Sequence, residues 1–455
     1  MNVRTAQPLV PPRLPAPAQS LGWFRFFAAV RTNALTMWPA AAYEKDVLAG
    51  PTLPGKSFLI NAPDAIHRVL VENMANYRRT AANIRIFWPI MGNGLLLSEG
   101  DDWRNQRRTI APALAPRIIP MLVRHIASSI EETVAHLAAG PREGVDLVAT
   151  MEFLALEIVA RSVFSLEMSQ YGAALRRMMQ NFGEKYGQPH FLDLMLPVAI
   201  PTLRDLGRRR FRRRWITLMD EIVAAREQAP PSDKPRDLFD LLLAARDPET
   251  GAAFSREQLR DQMATMIVAG YETTALTLFW SLYLLALAPA DQERVAEEAR
   301  GLDLGPENAA HVLPKLVYTR AVVSEALRLY PPGFAIARLA NEPDQLGGIA
   351  IPRGALIMIA PWVLHRHVRL WEDPDAFIPS RFLGAAPPRF SYLPFGAGPR
   401  VCVGAQLALT GAVLVLAAMV KRFRISLADA VPVFPVGIIL VHPDHAAPFC
   451  LQDRK

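Results

Sequence analysis

Phe395-Gly396-Ala397-Gly398-Pro399-Arg400-Val401-Cys402-Val403-Gly404-Ala405-Gln406-Leu407-Ala408 sets a lone cysteine between a glycine-rich loop and an apolar, helix-forming segment. Gly396, Gly398 and Gly404 let the backbone pass close to a flat ligand and take up angles that side chains forbid. A helix starting after Cys402 points its free N–H groups and positive dipole end back at the sulfur, which favours thiolate over thiol. With no second Cys or His nearby in sequence, such a thiolate suits an axial ligand to haem iron better than tetrahedral zinc. The competing reading is a buried structural cysteine after a glycine turn.

The pattern Phe-x-x-Gly-x-Arg-x-Cys-x-Gly, filled by Phe395, Gly398, Arg400, Cys402 and Gly404, resembles the haem-binding signature of the cytochrome P450 family. The resemblance implies haem b with Cys402 on its iron. It also implies a mainly α fold with small β-sheets (α+β) and a long central helix over the haem. Residues 1–45 are expected to form a proline-rich arm and amphipathic segment, and residues 46–455 a single catalytic domain.

The composition agrees with a globular protein: 455 residues, 51% hydrophobic and 20% charged,. Two cysteines, the second being Cys450 near the C-terminus, exclude a disulfide framework and fit a reducing cytoplasm. The net charge of +7 is too small to imply nucleic-acid binding. Leu21–Tyr43 is interrupted by Arg25, Arg31, Asn33 and Pro39, and a bilayer span needs ~20 predominantly apolar residues. The expectation is a soluble, cytoplasmic monomer without a transmembrane segment; amphipathic attachment to a surface stays open.

Helical patterns cover Arg124–Leu137, Met151–Phe164, Arg208–Arg226 and Ala405–Val420,. Strand-like runs occur at Ser57–Ile60, Ile349–Ile351, Ala355–Ile359 and Val436–Val441,. Proline loops such as Pro230–Pro235 punctuate the chain. The best-defined helix runs from Ser255 to Leu287, with Ser255 and Gln258 forming a capping-box pattern,. Apolar on nearly every face past Met263, it belongs in the middle of the protein.

Within it lies Ala269-Gly270-Tyr271-Glu272-Thr273-Thr274. Glycine in a helix interior costs ~1 kcal/mol relative to alanine, so Gly270 implies a close approach. A carboxylate and a hydroxyl here can supply protons to a ligand; equally, Thr273 can bond back to its own helix. The segment resembles the family's oxygen-activation element. That implies Ala269 and Gly270 bordering the haem, Thr273 hydrogen-bonding dioxygen and Glu272 in the proton relay.

Glu325 and Arg328 share a helix face at i and i+3, and Pro379-Ser380-Arg381-Phe382 resembles the family's Pro-x-Arg-Phe element. The resemblance implies one buried structural network of Glu325, Arg328 and Arg381. Trp103 and Arg107 sit at i and i+4, able to donate together to a carboxylate. The family likeness makes them propionate ligands, with Arg338 and Arg400. The alternative is a surface basic helix with Arg104 and Arg108.

Six arginines in Gly207–Trp215 read best as a solvated basic helix whose Phe211 and Trp215 make core contacts. An acidic membrane or protein surface is the next reading, and nucleic acid the last. Phe191–Ile200 would suit a lid. The resemblance puts Phe87, Trp88, Met91, Leu95, Val268, Phe334, Ile336 and Ile438 on an apolar pocket, favouring a fatty acid, terpenoid or alkane.

Gly396-Ala397-Gly398 does not continue as a dinucleotide fingerprint, so electrons are expected from ferredoxin or flavodoxin with its reductase. The implied reaction is a haem-thiolate monooxygenation by O2. The alternatives are a peroxide-dependent peroxygenase, which in this family lacks the acid–Thr pair, and a non-catalytic haem-thiolate sensor or carrier.

Overall fold

The computed structural model describes residues 8–50, 56–165, 171–228, 230 and 234–454. Residues 1–7 of the proline-rich arm and Pro231–Asp233 of the proline loop lie outside the described residues. The central helix is Arg256–Leu287, 32 residues long, or roughly 48 Å at 1.5 Å per residue. Ser255 Oγ accepts from Gln258 N at 3.2 Å, and Gln258 Oε1 accepts from Ser255 N at 2.9 Å, closing the capping box. Phe279, Trp280, Tyr283 and the leucines around them are buried, each fully buried large side chain contributing about 1.5–3 kcal/mol. Trp280 stacks on Tyr330 at 4.0 Å.

Around this rod pack Leu147–Phe164, Val317–Leu329 and Ala405–Arg422, the first and last matching the helical periodicity within a few residues at each end. Gly270 is explained by one of these contacts, because a Cβ there would come within 3.0 Å of Val159 Cγ2. The close approach is therefore to a neighbouring helix.

The largest sheet has five strands in the order Val47–Ala49, Ser57–Ile60, Leu356–Ile359, Ile336–Ala340 and Tyr77–Arg78. Ser57–Ile60 pairs parallel with Leu356–Ile359 in the register Ser57↔Leu356, and the other pairs are antiparallel. Val145–Asp146, Pro448–Asp453 and Phe423–Leu427 make a three-stranded sheet that carries Cys450, and two two-stranded ribbons complete the β structure among the described residues. The described part of residues 1–45 contributes Leu35, Trp38, Ala42 and Tyr43 to the same core as the central helix.

The run Val436–Val441 is not one strand. Pro435–Gly437 and Val441–Pro443 form an antiparallel ribbon, and Ile438–Leu440 between them turn into the central cavity. Asn33 fixes the bend by donating to Pro435 O and accepting from Gly437 N, both at 2.9 Å.

The basic helix, Leu203–Glu227, also departs from the expectation that all six arginines are solvated. Arg208 is buried in a bidentate pair with Asp193 at 2.6 and 2.9 Å, and Arg212 lies over the Trp88 ring at 4.3 Å. Phe211 and Trp215 are buried as expected.

Among the described residues, one helix, Ala405–Arg422, is long and apolar enough to cross a membrane, and 56% of it is buried inside the protein. Two bent helix pairs reach that threshold only when each is counted as one span.

Candidate active site

Cys402 N donates to Phe395 O at 2.9 Å and Val401 N to Gly398 O at 3.0 Å, folding the glycine-rich loop into a tight platform. Gly398 adopts φ +71°, and a Cβ there would sit 2.2 Å from Leu70 O. Its freedom serves close packing against Leu70 within the chain; it does not line the cavity. A Cβ on Gly404, which does, would meet nothing within 4 Å.

The Ala405–Arg422 helix starts after Gly404. Cys402 lies deep in the protein, yet its side chain is open, because the surface it shows belongs to the cavity. Burial pushes the thiol up, against the Gly404 N–H, Arg107 and Ala405 N–H, which pull it down. The N–H groups of Gly404 and Ala405, where the helix begins, thus favour the thiolate as the sequence suggests, while burial opposes it,.

The cavity measures about 1230 Å³. Ala269, Gly270, Glu272 and Thr273 line it from the central helix; Trp103, Arg107, Arg338, Phe395, Arg400, Cys402 and Gly404 line it from other elements. Phe87, Met91, Leu95, Val268, Phe334, Ile336 and Ile438 are also on its wall. Trp88 is not: it faces outward beneath Arg212.

A cluster of cations edges this cavity. Arg400 donates to Ser98 O at 3.1 Å and Glu99 Oε2 at 3.0 Å, and lies 4.3 Å over the Trp103 ring. Arg107 donates to Val401 O at 2.9 Å, tying the Gly100–Ile110 helix to the cysteine loop. Arg338 is pushed down to about 10 by burial, then by Arg400.

Arg79, which sequence reading missed, is pushed down to about 9 by burial, then by Arg338 and Arg400. It lines the cavity, and its buried Nε lies 3.3 Å from Glu99 Oε1 without making a well-aligned hydrogen bond. Among the described residues Glu99 is the one carboxylate acting on Arg79, Arg338 and Arg400 together. This excess fits a bound dianion such as the two propionates of a haem.

On the opposite wall Thr273 Oγ1 donates to Ala269 O at 2.6 Å, the back-bond anticipated as an alternative. Glu272 Oε1 lies 3.2 Å from His442 Nε2, on the ribbon strand Val441–Pro443. Glu152 stands close to both: burial, then repulsion from Glu272, pushes its carboxyl up, with His442 opposing. His442 and Glu152 also escaped sequence reading, since nothing local marks them.

The Glu325–Arg328 pair is fully buried and bidentate at 2.6 and 2.8 Å. Arg328 donates onward to His365 O, Pro374 O and Ala376 O. Arg381 approaches Glu325 at 3.4 Å. Arg108, expected on an open basic face, is committed to Asp247 and Glu249 at 3.1 and 2.6 Å, and Arg104 to Asp101.

The cytochrome P450 family model matches residues 52–445. The chain belongs to the cytochrome P450 family. It is 33% identical over 380 residues to cyclooctatin synthase of Streptomyces melanosporofaciens, covering 82% of this chain and 81% of that one. Pentalenene oxygenase of Streptomyces avermitilis is 31% identical over 359 residues, with 78% and 79% covered. The human ultra-long-chain fatty acid omega-hydroxylase is 29% identical over 411 residues, with 84% and 76% covered. As a P450 the chain is a haem-dependent oxidoreductase, a monooxygenase that draws on O2 and a redox partner.

Proposed function

We propose that this P450 holds haem b through Cys402 and oxygenates a fatty-acid, terpenoid or alkane substrate. We assign residues 46–455 to one catalytic domain, with residues 1–45 as its N-terminal arm. The observation that carries the reading is the pairing of an open Cys402 with an excess of guanidinium charge in one large, mostly apolar cavity. Arg79, Arg107, Arg338 and Arg400, with Trp103, would hold the propionates, and Phe395 and Gly404 would border the ring on the cysteine side. When bound, a thiolate-ligated haem supplies activation of O2 for insertion into C–H or C=C bonds.

The chain's own residues then do two things. Ala269 and Gly270 keep one wall low, while Phe87, Met91, Val268 and Ile438 exclude water and orient an apolar molecule. Relatives named for pentalenene and for cyclooctat-9-en-7-ol, by those names an alkene and an unsaturated alcohol, support such a substrate. Thr273 Oγ1, once released from Ala269 O, can donate its proton into the cavity. Glu272 can replace that proton, and His442 Nε2 at 3.2 Å can recharge Glu272,. This acid–alcohol pair favours monooxygenation over the peroxide-dependent route. Electrons come from a ferredoxin or flavodoxin with its reductase, in the cytoplasm, to a monomeric enzyme.

The test is optical. The reduced carbon monoxide adduct of the wild type is expected to show the red-shifted, thiolate-type Soret band. Cys402→Ser should lose it and Cys450→Ser keep it. A thiolate band surviving in Cys402→Ser rejects the assignment.

A further inference from the structure

The loop Gly92–Glu99, between the Ala81–Met91 and Gly100–Ile110 helices, puts Leu95, Leu96 and Leu97 on the cavity wall. Two buried glutamines hold it there. Gln262, on the central helix, accepts from Leu95 N at 3.0 Å and donates from Nε2 to Gln106 Oε1 at 2.9 Å. Gln106 donates from Nε2 to Asn93 O at 2.9 Å, and its Oε1 also accepts from Ser98 Oγ at 3.1 Å. Both amides are buried, and each of their polar atoms has a partner. The neighbouring turn adds a second hold: Asp261 Oδ2 accepts from Asn93 N at 2.8 Å, and a Cβ on Gly92 or Gly94 would strike Asp261 or Thr265. At its far end the loop meets Arg400, which donates to Ser98 O at 3.1 Å.

Stability alone does not call for this arrangement. Apolar side chains of like shape can replace both members of a buried hydrogen-bonded pair at little cost, whereas a fully satisfied polar network specifies one arrangement of its members. What this network arranges is a wall. Gln262, Met266, Ala269 and Thr273 recur at helical spacing on one face of the central helix, and all four line the cavity,. Gln262 stands about 10 Å along the helix axis from Ala269. A long ligand lying along this face over Ala269 therefore reaches the leucines, and a small one does not.

We propose that Gln262 and Gln106 are positioning residues that fix the Leu95–Leu97 wall and so select extended apolar molecules in the cavity. The inference rests on the reading of that cavity as the haem and substrate site. Its readout needs no turnover.

The experiment is optical titration of the haem-loaded full chain with imidazole and with 1-dodecylimidazole, each followed by the Soret shift on nitrogen ligation. Imidazole reports the iron alone, and the dodecyl chain reports the wall. Gln262→Leu should weaken 1-dodecylimidazole about tenfold, leaving imidazole affinity and the reduced carbon monoxide band unchanged. Gln106→Leu should do the same, and the double variant should lose little more than either single one, because each breaks the same clamp. Gln262→Glu, kept protonated by burial, presents the same acceptor and donor and should stay within about threefold of wild type. A merely structural role would lower the melting temperature and leave the ratio of the two affinities alone. The proposal is overturned by an unchanged ratio in Gln262→Leu, by additive losses in the double variant, or by a Gln262→Glu protein as weak as Gln262→Leu. Should Gln262→Leu fail to take up haem, the ratios in Gln106→Leu and Gln262→Glu decide. A wild type without the thiolate-type band would instead reject the haem reading, and this inference with it.

Discussion

Lowering the pH should unlock this fold at His365. The imidazole is fully buried, and Leu393 N donates to its Nε2 at 2.7 Å. Because an N–H can only donate, Nε2 is the bare nitrogen; Nδ1, 3.2 Å from Arg328 O, carries the proton,. A second proton would have to displace the Leu393 bond inside an apolar shell beside two guanidiniums. Burial first, then Arg328 and Arg366, push the pKa down to about 3.

An unfolded histidine titrates near ~6.5, so the unfolded chain takes up this proton long before the native one. The contribution is fully present above ~6.5 and is lost progressively as pH falls from there toward the folded value of about 3,. Between pH ~7 and ~5 the difference amounts to about 2 kcal/mol. Denaturant unfolding of wild type and His365→Gln at both pH values isolates this term, since pH effects elsewhere are shared. The variant starts less stable, because Arg328 O loses its donor, but its loss on acidification should be smaller by about 2 kcal/mol. Equal losses in the two proteins would refute the reasoning.

Glu325→Gln should leave Arg328 charged, buried and unpaired, costing about 3–5 kcal/mol; a melting curve unchanged from wild type would contradict this. Arg79→Gln removes a charge-assisted donor worth about 1.5–3 kcal/mol, so haem titration into the apoprotein should show roughly ten- to hundredfold weaker uptake. Thr273→Ala should leave substrate binding intact and divert reducing equivalents to peroxide, measured as peroxide formed per nicotinamide consumed. His442→Ala should slow turnover with less peroxide than Thr273→Ala, because it interrupts supply behind Glu272 and leaves Thr273 in place.

What could be read in the sequence was whatever the chain arranges locally. The Ser255–Gln258 cap, the Phe395–Gly404 loop and the Glu325–Arg328 pair each lie within ten residues, so spacing alone fixes their geometry. Arg79 and His442 carry no such mark. Arg79 reaches the arginine cluster because Tyr77–Arg78 pairs with Ile336–Ala340, which brings it beside Arg338 across some 260 positions. His442 meets Glu272 only because Asn33, from the far end of the chain, bends the ribbon beneath it.

The two glycines show a related limit, although Gly270 does line the cavity. A missing Cβ announces close approach but not the partner, and for Gly270 and Gly398 the nearest neighbours are Val159 and Leu70. The same long-range logic joins fold and site. Glu325 fixes Arg328, whose carbonyl accepts from His365 Nδ1, and His365 Nε2 accepts from Leu393 N three residues before the loop that carries Cys402 begins turning at Gly396. A buried ion pair whose own side chains do not line the cavity is thus linked by hydrogen bonds to the start of the cysteine loop. Damage to Glu325 should consequently appear first at the cysteine loop, as a disturbed thiolate spectrum in molecules that are still folded.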